Sequence, residues 1–238
     1  MNQTNLSTTV TIKDRLERVQ ERIREAAVGC GRDPETVKLV AVSKTVPLNL
    51  VQAGIKAGAT ILGENYVQEA SQKIEALQGE DVSWHLVGHL QSNKAKHAVK
   101  LFDLIHSVDS FKLAKELDRR SHAIDKVQPI LIQVNISGEQ TKSGIETDEA
   151  LALIREVAPL ENVAVRGLMT MPPYFNAPAL VRPYFRALRA LQSQVREEAI
   201  RNVDMSELSM GMTGDFEAAI EEGATLVRIG TAIFGKRE

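Results

Sequence analysis

The feature that most limits the fold is an alternation. Short apolar runs at 37–42, 60–62, 83–87, 103–107, 129–134, 163–168, 206–209 and 225–229 have the length and aliphatic content of strands. Between them lie stretches such as "NLVQAGIKAGA", "NYVQEASQKIEALQ", "SFKLAKELDRRSHAI", "DEALALIREVA" and "RPYFRALRALQSQVREEA", each with helical periodicity. Strand, helix, strand repetition calls for parallel pairing, each helix carrying the chain back across the sheet by a right-handed crossover. About eight such units in a chain of this length is the count and size of an α/β fold of the TIM type, a (β/α)8 barrel. A doubly wound open sheet is the main alternative. Ahead of the first strand, Ile12, Leu16, Val19, Ile23 and Ala27 fall on one stripe and predict an additional N-terminal helix, ended by "GCGRDP" at 29–34. No Pro, Gly or Ser run marks a boundary, so residues 1–238 are expected to form a single barrel domain, with the polar residues 1–10 a flexible lead-in.

Charge and cysteine content narrow the function. Lys+Arg 29 against Asp+Glu 31 leaves a formal charge of -2, without the basic field that nucleic-acid binding draws on. Cys30 is the only cysteine, which excludes an internal disulfide or a multi-cysteine metal site. The N-terminus has neither a basic region nor an apolar core of a signal peptide, and nowhere do about 18 apolar residues run together. The expectation is a soluble protein of a reducing cytoplasm, with no nucleic acid and no membrane as partner.

In a parallel barrel the strands' C-terminal ends build the binding face, so the polar residues that follow each apolar run are the candidates. After the first run comes Lys44, in "KLVAVSKTVP". A lysine there can simply snorkel to water. In a pocket, partial desolvation would instead favour the neutral amine, which condenses with aldehydes to a Schiff base. The final segment, "LVRIGTAIFG", reads as a strand through Arg228 followed by Gly230, Thr231 and a helical start, an arrangement that offers N–H groups and a hydroxyl to an anion. Ser209, ending the preceding strand, could add a donor; a plain helix cap is the alternative for Gly230 and Thr231. An amine on the first strand and an anion cradle at the last two describe a phosphorylated aldehyde, of which pyridoxal 5'-phosphate is the obvious example.

The motifs "AVSKTVP", "GENYVQE", "WHLVGHLQSNK", "HSVDS", "VNISGEQTKSG", "RGLMTMPP" and "LSMGMTGDFEAAIEEGATLVRIGTAIFG" follow one another in order. In them the chain resembles the pyridoxal phosphate homeostasis protein family, single-domain barrels related to the N-terminal domain of alanine racemase. The resemblance implies that Lys44 is the aldimine lysine and that Ser209, Gly230 and Thr231 surround the phosphate. Thr213 stands where many members have Ser and keeps the hydroxyl, so a phosphate contact is expected of it too. Leu62 and Leu86 replace aromatic or other apolar residues, a change of packing. In racemase-like barrels an Arg at the position of Arg228 faces the pyridine nitrogen. A guanidinium does not readily give up a proton, so the cofactor becomes a weaker electron sink. A surface ion pair is the other reading of Arg228.

Other residues divide in the same way. Asn65 could contact the ring or cap the next helix. His85 and His89, four apart, lack the context of a metal pair, and His85 is expected as a pocket-wall or hydrogen-bonded core residue. Lys142 in "EQTKSG" lacks P-loop spacing; a second amine near the entrance could help load or release the cofactor. Met169 and Met171 are expected in core or pocket floor, and Lys94, Lys96 and Lys100 on a solvated helix face.

A racemase of this barrel type would carry a second, β-rich domain with a tyrosine acting on the opposite face of the cofactor. The strand–helix units use the chain up to Ile233, leaving no room for one. Tyr66 and Tyr174 follow strand ends and are the tyrosines that could approach instead. The preferred reading is therefore a monomeric protein that holds and delivers the cofactor, with apo PLP-dependent enzymes as recipients and without robust catalysis. An amino-acid racemase is the alternative, and a cofactor-free aldolase acting on a phosphosugar is a third.

Overall fold

The computed structural model describes residues 10–139, 141–173, 175 and 177–235. Helix α1 (Ile12–Gly29) opens on a reciprocal cap, in which Thr11 Oγ1 accepts the Asp14 N–H and the Asp14 carboxylate accepts the Thr11 N–H. Strands and helices then alternate: β1 (Lys38–Val42), α2 (Leu48–Lys56), β2 (Ile61–Glu64), α3 (Val67–Ala76), β3 (Ser83–Leu86), α4 (Ala95–Leu101), β4 (Leu104–Val108), α5 (Phe111–His122), β5 (Gln128–Asn135), β6 (Ile145–Glu146), α6 (Ala150–Val157), β7 (Val163–Met169), α7 (Arg182–Glu197), β8 (Val203–Ser209), α8 (Phe216–Glu221), β9 (Leu226–Ile229) and α9 (Thr231–Phe234).

Every pairing is parallel. The order runs β1, β2, β3, β4, β5, β7, β8, β9 and back to β1, so eight strands close into a barrel and the open-sheet alternative falls away. The two-residue β6 lies outside the ring and pairs with β5. Residues that face the helices, among them Leu62, Leu86, Ile105, Ile132 and Ile229, belong to one large buried cluster, which the α1 stripe Leu16, Val19, Ile23 and Ala27 joins by packing on α8, α9 and α2. A smaller cluster of Val40, Val42, Val87, Leu104, Leu131, Met169 and Leu226 fills the barrel's inside.

The largest departure from the apolar pattern is β8, which starts three residues before its predicted run, at Val203. Asp204 interrupts the apolar pattern ahead of Ser206; both stand at the strands' N-terminal mouth, where a cavity of about 500 Å³ opens. Met205 between them is buried, and its carbonyl accepts from Gln192 and Arg196 of α7. Gly167 makes the neighbouring β7–β8 contact possible: a Cβ there would lie 1.8 Å from the Glu207 carbonyl oxygen, at a shift in strand register. Among the described residues no helix is long and apolar enough to cross a membrane.

Candidate functional site

The strands' C-terminal ends enclose a cavity of about 480 Å³. Lys44, two residues beyond β1, lines it, as do Asn65 beyond β2, Thr213 and Asp215 before α8, and Arg228, Gly230 and Thr231 at the end of β9. Residues from both ends of the sequence meet here because β1 and β9 are hydrogen-bonded neighbours, with Val40 opposite Arg228. Lys44 is half-buried and Thr231 exposed. Gly230 passes close to β1, where a Cβ would meet the Val42 carbonyl oxygen at 3.0 Å, so the cavity wall is thinned to backbone at that point.

Of the alternatives left open by the sequence, several are decided. Arg228 is 4% exposed and, among the described residues, makes no surface ion pair; it donates to Ser209 Oγ and, at 2.8 Å, to the Thr170 carbonyl. Burial pushes its pKa down to about 10, against the pull of Asp215, and it remains a cation at neutral pH. Asn65 does not cap α3, whose N-cap is Tyr66. Gly230 serves both as the residue that opens α9, its carbonyl accepting the Ile233 and Phe234 N–H groups, and as cavity wall.

Ser209, expected at the cavity, lies elsewhere, and of its two readings His85 takes that of a hydrogen-bonded core residue. His85 and Ser209 are buried inside the barrel beneath the cavity and do not line it. Ser209 Oγ is taken up by Arg228 and by His106 Nδ1 at 2.8 Å, and His106 Nε2 lies 3.0 Å from His85 Nδ1. Side chains on alternate positions of a strand point to opposite faces, and strand ends read from an apolar run do not say at which height a residue stops being interior and becomes mouth. His89, by contrast, does reach the cavity, with Nδ1 3.8 Å from the Asp109 carboxylate; among the described residues no cluster could hold a metal ion. Met169 is interior core, whereas Met171 and Lys142 line the cavity. Tyr66 is 60% exposed and outside the cavity wall, and Tyr174 lies outside the described residues. Lys96 and Lys100 of α4 are solvated, whereas Lys94 precedes the helix as its N-cap and is half-buried.

The structure adds residues that the sequence did not single out. Asp215 faces the cavity with its carboxyl pKa raised by burial and its Oδ1 accepting the Met212 N–H at 2.6 Å. Behind Lys44, Lys73 of α3 donates to the Ser43 carbonyl at 2.5 Å, to Glu64 Oε1 at 2.7 Å and to Glu69 Oε1 at 2.7 Å. Glu64 Oε1 also accepts from Ser43 Oγ at 2.6 Å, and Glu69 Oε1 accepts the Thr45 N–H at 2.6 Å. Lys44 therefore sits between two residues whose backbone is tied to one buried ammonium group. The available signal was a lysine on the apolar stripe of α3, between Ala70 and Leu77, where a solvated residue does not belong.

Fold and cavity together define a class: a (β/α)8 barrel of the alanine racemase N-terminal type, with an amine at the end of the first strand and a buried guanidinium at the end of the last. Residues 14–238 match the family described as alanine racemase, N-terminal domain. The chain is 47% identical over 225 residues to the pyridoxal phosphate homeostasis protein of Aquifex aeolicus, covering 94% of this chain and 98% of the relative. It is 43% identical over 228 residues to that of Pseudomonas aeruginosa, covering 96% of each. The chain belongs to the pyridoxal phosphate homeostasis protein family. PipY of Synechococcus elongatus, solved with PLP bound, superposes with a TM-score of 0.83 at 34% identity, covering 94% of this chain and all of that one. Alanine racemase of Clostridium difficile shares the fold, with a TM-score of 0.74 at 14% identity, and this chain spans just over half of it.

Proposed function

We propose that the chain binds pyridoxal 5'-phosphate through Lys44 and holds it for intracellular supply, without robust catalysis of its own. The observation behind this is the convergence of Lys44, Arg228, Gly230 and Thr231 on one cavity. The donor set fits the molecule: an amine for the aldehyde, a guanidinium for the ring, and the Gly230 backbone with the Thr231 and Thr213 hydroxyls for the phosphate. Bound there, the cofactor supplies an aldehyde that condenses reversibly with primary amines. Arg228 stays a donor, because burial lowers its pKa only to about 10 and the guanidinium keeps its proton at neutral pH. Asn65 borders the same space, while His85 and Ser209 act from beneath it.

The whole chain is read as one barrel working as a monomer in the cytoplasm, handing the cofactor to apo PLP-dependent enzymes. The test is to incubate the purified protein with the cofactor, reduce with borohydride, and locate the adduct by peptide mass spectrometry. Attachment at Lys44, lost in Lys44→Ala, is expected; attachment confined to other lysines would refute the assignment. The racemase alternative has its own test, since His89 and Lys142 bring protonatable groups to the cavity. Turnover of an amino acid by the loaded protein at about 1 s⁻¹ or more, the ordinary enzymatic range, would establish it.

A further inference from the structure

Inside the barrel, four polar side chains from four strands form a file: Arg228 on β9, Ser209 on β8, His106 on β4 and His85 on β3. All four are buried, with His106 and Ser209 at 0% exposure. The file runs from the cavity that Arg228 lines to the cavity at the opposite mouth, which His85 lines.

The direction of the hydrogen bonds follows by elimination. A guanidinium only donates, so the Ser209 oxygen accepts from Arg228. Among the described residues, the only acceptor near the Ser209 hydroxyl is His106 Nδ1 at 2.8 Å, so that nitrogen carries no proton. A neutral His106 then has its proton on Nε2 and donates to His85 Nδ1 at 3.0 Å. A neutral His85 in turn carries its proton on Nε2, at the opposite mouth. The reverse direction would place an N–H of His106 and an N–H of Arg228 on one hydroxyl oxygen and leave the Ser209 proton without an acceptor. Burial and the neighbouring Arg228 both hold His106 neutral.

We propose that His106 is a positioning residue for Arg228: through Ser209 it heads a one-way chain of dipoles whose negative ends point at the guanidinium, stabilising the buried cation and fixing it against the cavity wall. His85 completes the chain and connects it to water at the far mouth. The Thr170 carbonyl is the second anchor, at 2.8 Å, and with it the guanidinium plane is held at two points. The chain belongs to the protein without any bound molecule and is independent of the proposed cofactor.

Nitrogen-15 NMR of histidine- and arginine-labelled protein, free of ligand and at pH 7, reads this directly. Expected are His106 and His85 as neutral Nε2–H tautomers, and Arg228 Nη protons that are resolved and slow to rotate. An Nδ1–H tautomer at His106 would overturn the proposal without any variant. His106→Leu removes the acceptor and should collapse the Arg228 Nη signals into fast exchange. His106→Asn keeps an acceptor near the position of Nδ1 and should preserve them. Slow rotation surviving in a folded His106→Leu protein would also overturn the proposal, and if that variant does not fold, the wild-type tautomers and His106→Asn still decide.

Discussion

Replacing Lys73 with methionine should weaken both the fold and the grip on Lys44. The Lys73 side chain is 8% exposed and its ammonium group serves three acceptors, two of which, the Ser43 carbonyl and Glu64 Oε1, belong to fully buried residues. Removing one partner of a buried ion pair costs about 3–5 kcal/mol, because the other charge stays behind. That is a shift of about two to three and a half decades in the folding equilibrium. Thr45 adds to it: at φ +59 this β-branched residue holds a conformation that costs about 1–3 kcal/mol unless its surroundings impose it, and Glu69, oriented by Lys73, supplies the restraint.

The loss should depend on pH with a definite sign. Burial already raises the Glu64 pKa above the usual 4.5, with Lys73 and Ser43 pulling it down. Without Lys73 it rises further, so the folded variant binds a proton that the unfolded chain releases above about 4.5, and folding is favoured by acid. Urea denaturation of Lys73→Met at pH 8 and pH 5 should therefore show the larger deficit at pH 8, and adding Glu64→Gln should recover part of it. A deficit below about 1 kcal/mol, the level of an exposed pair, or one equal at both pH values would refute the reasoning.

Three further outcomes follow from the same geometry. Burial holds the His85 pKa down at about 4, so the folded state resists a proton that the unfolded chain takes up below about 6.5; stability should be full above that pH and fall by about 1.4 kcal/mol per unit between the two values, with His106 adding to the slope and His85→Phe reducing it in denaturation curves. Gly167→Ala should destabilise by more than about 3 kcal/mol or prevent folding, because its Cβ would lie 1.8 Å from the Glu207 carbonyl oxygen; a melting temperature within a degree or two of wild type would contradict the close contact. Gly230→Ala should cost only about 1–3 kcal/mol as β1 gives way at Val42, yet weaken binding of pyridoxal 5'-phosphate more than that of unphosphorylated pyridoxal in parallel titrations.

How much of this was legible in the chain differs by residue. Apolar runs separated by helical periods dictate parallel strands with crossovers, because each sheet face must be covered, and eight of them suffice to close a ring. Lys44, Asn65, Gly230 and Thr231 were readable because barrel topology sends the residues after each strand to one mouth, and Thr213 and Arg228 because the motifs around them resemble the family's; all six line the cavity. Height within the barrel was not readable: Ser209 ends its strand as Arg228 nearly ends its own, yet only the stagger between neighbouring strands leaves one beneath the cavity and the other in its wall. The partners were hidden too, since Lys73 meets Ser43 thirty residues away and His106 meets Ser209 across 103. Sequence alone determined which elements form and which end of them carries chemistry, because periodicity and strand order are local and additive. Tertiary structure decided which polar side chains share a buried space, because hydrogen bonds between distant residues exist only once the ring has closed.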